Sequence, residues 1–309
     1  MSSPDRTKFV VKGCVSDPMY HRCSKMATIL ADTGISEIAH CEAMVEIEFQ
    51  EYLENMKTQL GGDTFEHKAN HLVLQDCHSG RRYFGGIEEL IGFAEKTMAP
   101  PFDRSEDDQT DWIEIARQEC EQHLTREQNP LVYMDIALDP TSRPERVVFQ
   151  LFSQDCPKTC ENFRVLTSCK DRKSSDGLRL TYKGSPFHRV VHDGWVQGGD
   201  IVSGAGDGGV SIYGAEFGDE NFSVELNKRG ILAMANDGPH TNGSQFLVLL
   251  SPQSWLNRKV VAFGRVIMGF SVIRQIGEME TFNQRPVTEC KVYDCGELTP
   301  EEYAKMSCT

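Results

Sequence analysis

Between Phe187 and Leu250 the chain is written in short apolar segments cut by glycine and Asn-Gly steps. Such punctuation excludes long helices and demands strands joined by tight turns. Phe187-His188-Arg189-Val190-Val191 leads to Gln197-Gly198-Gly199-Asp200. Gly230 to Asn236, Gly-Ile-Leu-Ala-Met-Ala-Asn, reads as a buried strand ending in a polar group. Asn242-Gly243 is a turn signal ahead of an apolar strand from Gln245 to Leu250. A single arginine between an aromatic-His pair and a Val-Val pair predicts a guanidinium fixed at the end of a strand. Gln197 follows eight positions later, an even offset. In one extended strand the two side chains would share a face. Gly198-Gly199 then lets the backbone turn or approach a ligand closely.

The segments around this stretch complete a mostly β unit. Val132 to Leu138 and Arg146 to Phe152 read as paired strands around Pro140 to Pro144, and Pro157 to Leu166 as a helix with proline in its first turn. Cys156 and Cys160 are four apart, adequate for two metal ligands, but no second pair accompanies them and helix packing is the preferred reading. Lys170 to Gly177 is a polar loop. Gly204 to Gly209 lacks the Gly-Lys-Ser/Thr ending of a phosphate cradle and reads as a flexible rim loop. Ile273 and Ile276 fall on a short helix, and Val287 to Asp294 supplies a closing strand.

The first third has a different rhythm. Lys8 to Cys14 reads as a strand, Asp17-Pro18 opens a helix to about Leu30, and Ala43 to Ile47 is a second strand. Phe49, Leu53, Met56 and Leu60 keep helical spacing up to Gly61-Gly62. His71 to Gln75 and Arg81 to Phe84 form a hairpin around Ser79-Gly80, and a helix runs from Ile87 to Lys96. Pro100 to Asp108 is a linker by composition, and Asp111 to Leu124 is one more helix through Trp112, Ile115, Ala116 and Cys120. The expected division is 1–99, a linker and helix over 100–130, and 131–299.

Composition narrows the function classes. The chain of 309 residues carries a net charge of −14, and residues 1–130 alone hold 24 acidic against 13 basic side chains. That balance argues against nucleic acid as a main partner. No apolar run approaches the ~20 residues of a membrane span, so no membrane partner is expected. The start, Met1 to Arg6, shows no signal-peptide core and the end, Ser307 to Thr309, no retention signal. Eleven cysteines without framework spacing are expected to be free thiols in a reducing, cytoplasmic setting.

The segments FHRVV…QGGD, SIYG…F.DENF, LAMAN and NGSQF, in this order and spacing, resemble the cyclophilins, the peptidyl-prolyl cis-trans isomerase family, over roughly Val132 to Leu298. The resemblance implies a closed antiparallel β-barrel capped by helices, acting on X-Pro bonds of a proline-containing protein or peptide, with no cofactor and no metal. Position by position it implies Arg189 as the catalytic residue. His188, Trp195, Gln197, Ala235, Asn236, Gln245, Leu247, Trp255 and Leu256 are implied as substrate-binding residues, with Gln197 ordering the arginine. The Gly-Trp pair at 194–195 and the added N-terminal domain look like the peptidyl-prolyl isomerase-like six group, which resembles the cyclophilin of ciliary radial spokes. That likeness implies an axonemal assembly as partner. The first third resembles, in element order, a small α/β thioredoxin- or glutaredoxin-like domain. There Asp17-Pro18-Met19-Tyr20 occupies the place of the redox Cys-x-x-Cys, so dithiol exchange is excluded and a docking module is expected.

The chemistry needs no nucleophile. The barrier of about 18–20 kcal/mol to rotation is amide resonance. A guanidinium donating to the proline nitrogen stabilises the twisted state, and arginine stays charged and presents a rigid fork. The departures from the family pattern are Gly194 and Leu247 where pocket phenylalanines are usual, Trp195 for methionine, and Val260 for histidine. Two readings stay open on this evidence: a weak isomerase, or a non-catalytic proline-peptide-binding scaffold. Trp195 is expected to fill the volume left at Gly194 and line the groove beside Arg189.

Overall fold

The computed structural model describes residues 7–77, 79–100, 102–168, 172–174 and 177–308. The expected polar loop falls partly outside them, at 170–171 and 175–176, as do Met1 to Arg6, His78, Pro101, Cys169 and Thr309. The chain divides into two compact units, residues 1–127 with 300–309, and residues 128–299.

The first unit is a four-stranded sheet between helices. Its elements are β1 (Lys8–Cys14), α1 (Pro18–Asp32), β2 (His40–Met44), α2 (Glu46–Leu60), β3 (His71–Cys77), β4 (Gly80–Gly85), α3 (Ile87–Thr97), α4 (Arg104–Gln109) and α5 (Trp112–Glu127). The sheet order is β2-β1-β3-β4, with β1 parallel to β2 and antiparallel to β3. Side chains alternate across β1, as a strand requires. Phe9 and Val11 pack with Tyr20, Met26 and Leu30 of α1 and Leu90 and Ile91 of α3. Val10 and Cys14 pack on the other face with Phe49 and Met56 of α2. Asp17 caps α1 by accepting from the Met19 amide at 3.0 Å, and Pro18 stands at its first turn.

Two expectations are corrected here. The second strand ends at Met44, and Ile47 belongs to α2, because Ile47 and Phe49 are buried from a helix that carries Glu46 and Glu48 in its first turn. The expected linker contains α4, capped by Asp103 and tied to Arg22 through Asp107 and Asp108. Composition hides this helix because its residues are all polar. Cys14 and Cys23 are buried, and burial pushes both thiols well above their ordinary range.

The second unit contains β5 (Leu131–Ala137), β6 (Glu145–Leu151), α6 (Pro157–Thr167), β7 (Phe187–Val191), β8 (Trp195–Gly198), β9 (Ile231–Met234), β10 (Phe246–Leu249), β11 (Ala262–Met268), α7 (Phe270–Gly277), β12 (Thr281–Phe282), β13 (Arg285–Pro286) and β14 (Lys291–Leu298). Eight strands form one curled antiparallel sheet in the order β14-β5-β6-β11-β9-β10-β8-β7. Its two edges meet at a seam, where the amide of Phe187 donates to Cys290 O at 2.9 Å and that of Val292 to Ser185 O at 3.0 Å. The expected closed barrel is thus present as a strongly curled sheet, and a lone bridge, not a ladder, joins its edges. The core is aromatic: Phe163 of α6 lies 5.3 Å from Phe246 and 5.0 Å from Tyr182, whose hydroxyl donates to Ser244 O at 2.8 Å.

The closing strand lies four residues later than expected, at Lys291–Leu298, since its ladder to β5 begins only at Lys291; 281–286 before it form the small β12–β13 hairpin. After β14 a helix that the sequence reading did not include, α8 (Pro300–Ser307), buries Tyr303 and Ala304 and packs on α5 of the first unit. Thr299-Pro300-Glu301-Glu302 carried its start signal, proline at the first turn followed by acids. No helix among the described residues is long and apolar enough to cross a membrane.

Candidate active site

Arg189 and Gln197 do share a face, for a different reason from the one expected. The stretch is not one extended strand. It reverses at His192-Asp193-Gly194, with Asp193 at φ 57°, and Arg189 of β7 pairs directly with Gln197 of β8. A bulge between Phe187 and Arg189 shifts the register and aims the guanidinium outward. Across β10 the same face carries Leu247 opposite Gln197 and Leu249 opposite Trp195. The other face carries Val196, Phe246 and Val248 into the core. Residue identity follows the pleat: aliphatic and aromatic inward, mixed outward.

A cleft of about 420 Å³ opens on this outer face. It gathers His188, Arg189, Gln197, Ala235, Asn236 and Gln245 from four separate segments. The carboxamides are interlocked. Gln197 Nε2 donates to Gln245 Oε1 at 2.9 Å, and Gln245 Nε2 donates to Gly208 O at 2.6 Å and Gly206 O at 3.0 Å. Asn236 Nδ2 donates to Lys259 O at 2.9 Å, and the Ala235 amide to Gln245 O at 3.0 Å. His188 is buried, and burial lowers its pKa below the ordinary histidine value, Asp200 offsetting part of the effect. It is therefore a neutral wall at pH 7.

The remaining expected residues form an apolar shelf beside the cleft. Leu247, Leu256 and Val260 are buried in one cluster, and Trp195 packs against it half-buried. The Trp195 ring centroid lies 6.1 Å from that of the exposed Trp255 and 5.8 Å from Arg189 Cζ. Its indole N–H donates to Gln197 Oε1 at 3.4 Å. Trp195 thus lies on the Arg189 side, next to the cleft instead of within its lining. Gly194 leaves no hollow: a Cβ there would meet Val191 Cγ1 at 2.9 Å, in a turn closed by the Gly194 amide on Val191 O.

Two groups escaped the sequence reading. Asp200 is buried and gathers the glycine-rich rim. Oδ1 accepts from the Val202 and Ser203 amides, and Oδ2 from Ser203 Oγ and the Gly206 and Gly208 amides. Burial alone would raise its pKa, but these hydrogen bonds outweigh it and hold the carboxyl well below the usual range. The rim is therefore a pinned loop, which corrects the flexible one expected. The Asp that ends QGGD was its signal. The second group is the β12–β13 hairpin. Its Asn283 and Arg285 border the cleft, and Gln284 Oε1 accepts from Arg189 Nε at 2.8 Å. Cys156 and Cys160 face the carbonyls of Ala262 and Phe263 as packing residues, and no cluster of three metal-ligating side chains occurs among the described residues.

Residues 133–297 match the model of the family described as cyclophilin type peptidyl-prolyl cis-trans isomerase/CLD. A human protein named "Probable inactive peptidyl-prolyl cis-trans isomerase-like 6" is 39% identical over 258 residues, covering 82% of this chain and 78% of its own. Its bovine namesake is 38% identical over 261 residues, covering 82% and 80%. The "Peptidyl-prolyl cis-trans isomerase D" of Mycosarcoma maydis is 42% identical over 184 residues, 58% of this chain and 46% of that one. The first two likenesses are longer than the family-matched segment and reach into the first unit.

Proposed function

The chain belongs to the cyclophilin-type peptidyl-prolyl cis-trans isomerase family, and on that premise we propose that it grips X-Pro segments of proteins and turns them over slowly. One observation carries this reading. Arg189 is presented at the cleft with its η nitrogens available, while the apolar shelf beside it, formed by Leu247, Leu256 and Val260, is already covered by Trp195. A proline ring would have to displace or share that indole. The extended peptide would lie along Ala235, Asn236 and Gln245, its amide near the guanidinium, and each 1.4 kcal/mol of preferential hydrogen bonding to the twisted amide is worth about tenfold in rate. The test is isomerisation of an X-Pro peptide by the full chain beside Arg189→Ala. A slow rate that the substitution removes supports the reading, and equal background rates for both proteins end it.

The second reading, a non-catalytic scaffold subunit, is favoured by the words "probable inactive" in the names of the human and bovine relatives. We extend it to the first unit, read as a thioredoxin-like docking module without dithiol chemistry. Support comes from the β2-β1-β3-β4 order with parallel β1 and β2, and from Asp17-Pro18 at the head of α1. Thiol-dependent insulin reduction by the chain would overturn this. An axonemal assembly as partner rests on the family likeness. Fractionation of ciliated cells tests it, and a protein confined to the cell-body fraction would remove it.

A further inference from the structure

Gln197 is the residue that the family likeness offers as the arginine's orienting partner, yet its carboxamide is spent on Gln245 and on the Trp195 indole. The side chain that holds the guanidinium comes from elsewhere. Gln284 stands at the tip of the two-residue β12–β13 turn, with φ 64°, after Asn283 at φ 49°. This left-handed region suits glycine or asparagine and disfavours a glutamine side chain. The strained conformation is held by two bonds to consecutive β7 residues. Arg189 Nε donates to Gln284 Oε1 at 2.8 Å, and the Val190 amide donates to Gln284 O. The neighbouring Arg285 donates to Ala205 O at 2.8 Å and so ties the hairpin to the rim of the same cleft.

We propose that Gln284 is the positioning residue of Arg189. A guanidinium has five donors in one plane. Fixing Nε fixes that plane and leaves the four η donors to a peptide. A free arginine on an exposed strand edge would sample several rotamers, and each must be frozen again at every binding event. The glutamine removes that cost in advance and accepts backbone strain in return. The assignment rests on Arg189 being the working group of the cleft.

The experiment uses the full chain with Gln284→Gly, which relaxes the turn and deletes the carboxamide, and Gln284→Glu, which keeps an acceptor at the same reach. The first readout is the nitrogen–proton resonance of Arg189 Nε–H, assigned by its loss in Arg189→Lys. In Gln284→Gly it is expected to move to the free-arginine position and exchange with water at least about threefold faster, while Gln284→Glu keeps it displaced and protected. The second readout is kcat/KM on an X-Pro peptide, with Kd of the same peptide measured alongside. Gln284→Gly should weaken these by about threefold to tenfold, the range of one net hydrogen bond. Gln284→Glu should restore them, and Gln284→Gly should add nothing in an Arg189→Ala background. An unmoved Nε–H resonance, or an equal loss with Arg189 absent, overturns the proposal. A wild-type chain that neither binds nor turns over the peptide sinks the function proposed above. The resonance still decides whether Gln284 fixes the arginine.

Discussion

Arg189 and Gln197 face each other across the β7–β8 pair as register partners, and the hydrogen bonds of their side chains run in opposite directions. The carboxamide turns to Gln245 on β10's approach, the guanidinium to Gln284 on the far hairpin. The cleft therefore has two separately supported walls, and each can be tested alone.

Arg189→Ala removes the guanidinium that, on the proposed reading, would meet the amide of a bound peptide. Any isomerisation of an X-Pro peptide should fall by about a hundredfold or to background, the size of losing a preorganised donor, with Tm nearly unchanged because the side chain is exposed. A protease-coupled or exchange-NMR assay measures it.

Trp195→Met uncovers the shelf formed by Leu247, Leu256 and Val260. It should raise kcat/KM several-fold while costing about 1 kcal/mol of stability, because part of a half-buried aromatic is lost. Denaturant unfolding and the peptide assay, run together, check both signs. A fall in kcat/KM would mean that the indole itself contacts the proline.

Asp200→Ala leaves the Val202, Ser203, Gly206 and Gly208 amides without their acceptor. These donors stand in exposed or half-buried residues, where water replaces part of what is lost, so a loss of about 1–3 kcal/mol in all and faster hydrogen exchange across 202–209 are expected. Mass-detected hydrogen exchange resolves the loop from the rest.

Stability should fall as pH drops below about 6.5, the ordinary histidine value in the unfolded chain. The His188 pKa is lower in the fold, chiefly through burial, so unfolding takes up a proton in that range and acid favours the unfolded state. The effect grows until pH reaches the folded value. His188→Asn should flatten the slope of Tm between pH 6.5 and 5 relative to wild type. His67, also lowered mainly by burial, contributes in the same direction to the slope that remains.

Tyr303→Ala tests the return of α8. The ring is 2% exposed against α5, and deleting a buried aromatic costs about 3–5 kcal/mol. The first unit should unfold at lower denaturant. A shift in the second unit's transition instead would contradict the division into units.

Much of this was legible from residues whose chemistry is local. Gly198-Gly199, Asn242-Gly243 and the aromatic-His-Arg run announce turns and a strand end wherever they occur, and Asp17-Pro18 announces a helix. What stayed hidden depends on distant partners. α4 is a polar helix held by Arg22, eighty-five residues before Asp107. The β12–β13 turn uses Asn-Gln where Asn-Gly would have been readable, and the bonds of that glutamine to Arg189 and Val190 reach across nearly a hundred residues of sequence. Val287 to Asp294 alternates well enough to pass for a strand, but the ladder to β5 begins only at Lys291. The Arg189–Gln197 pairing was reached through the wrong geometry, because an even offset and a hairpin register give the same face.

Leu298 pairs with Leu131, so the second unit begins and ends at one spot of its own sheet. It is an insertion, looped out of a first unit whose last helix follows it. During synthesis at about 5–20 residues per second, on the order of ten to thirty seconds separate the emergence of α5 from that of α8. Throughout that interval the α5 surface around Cys120 that Tyr303 and Cys308 cover stays bare. The inserted unit can finish folding first, and the unit that starts the chain is the one that must wait.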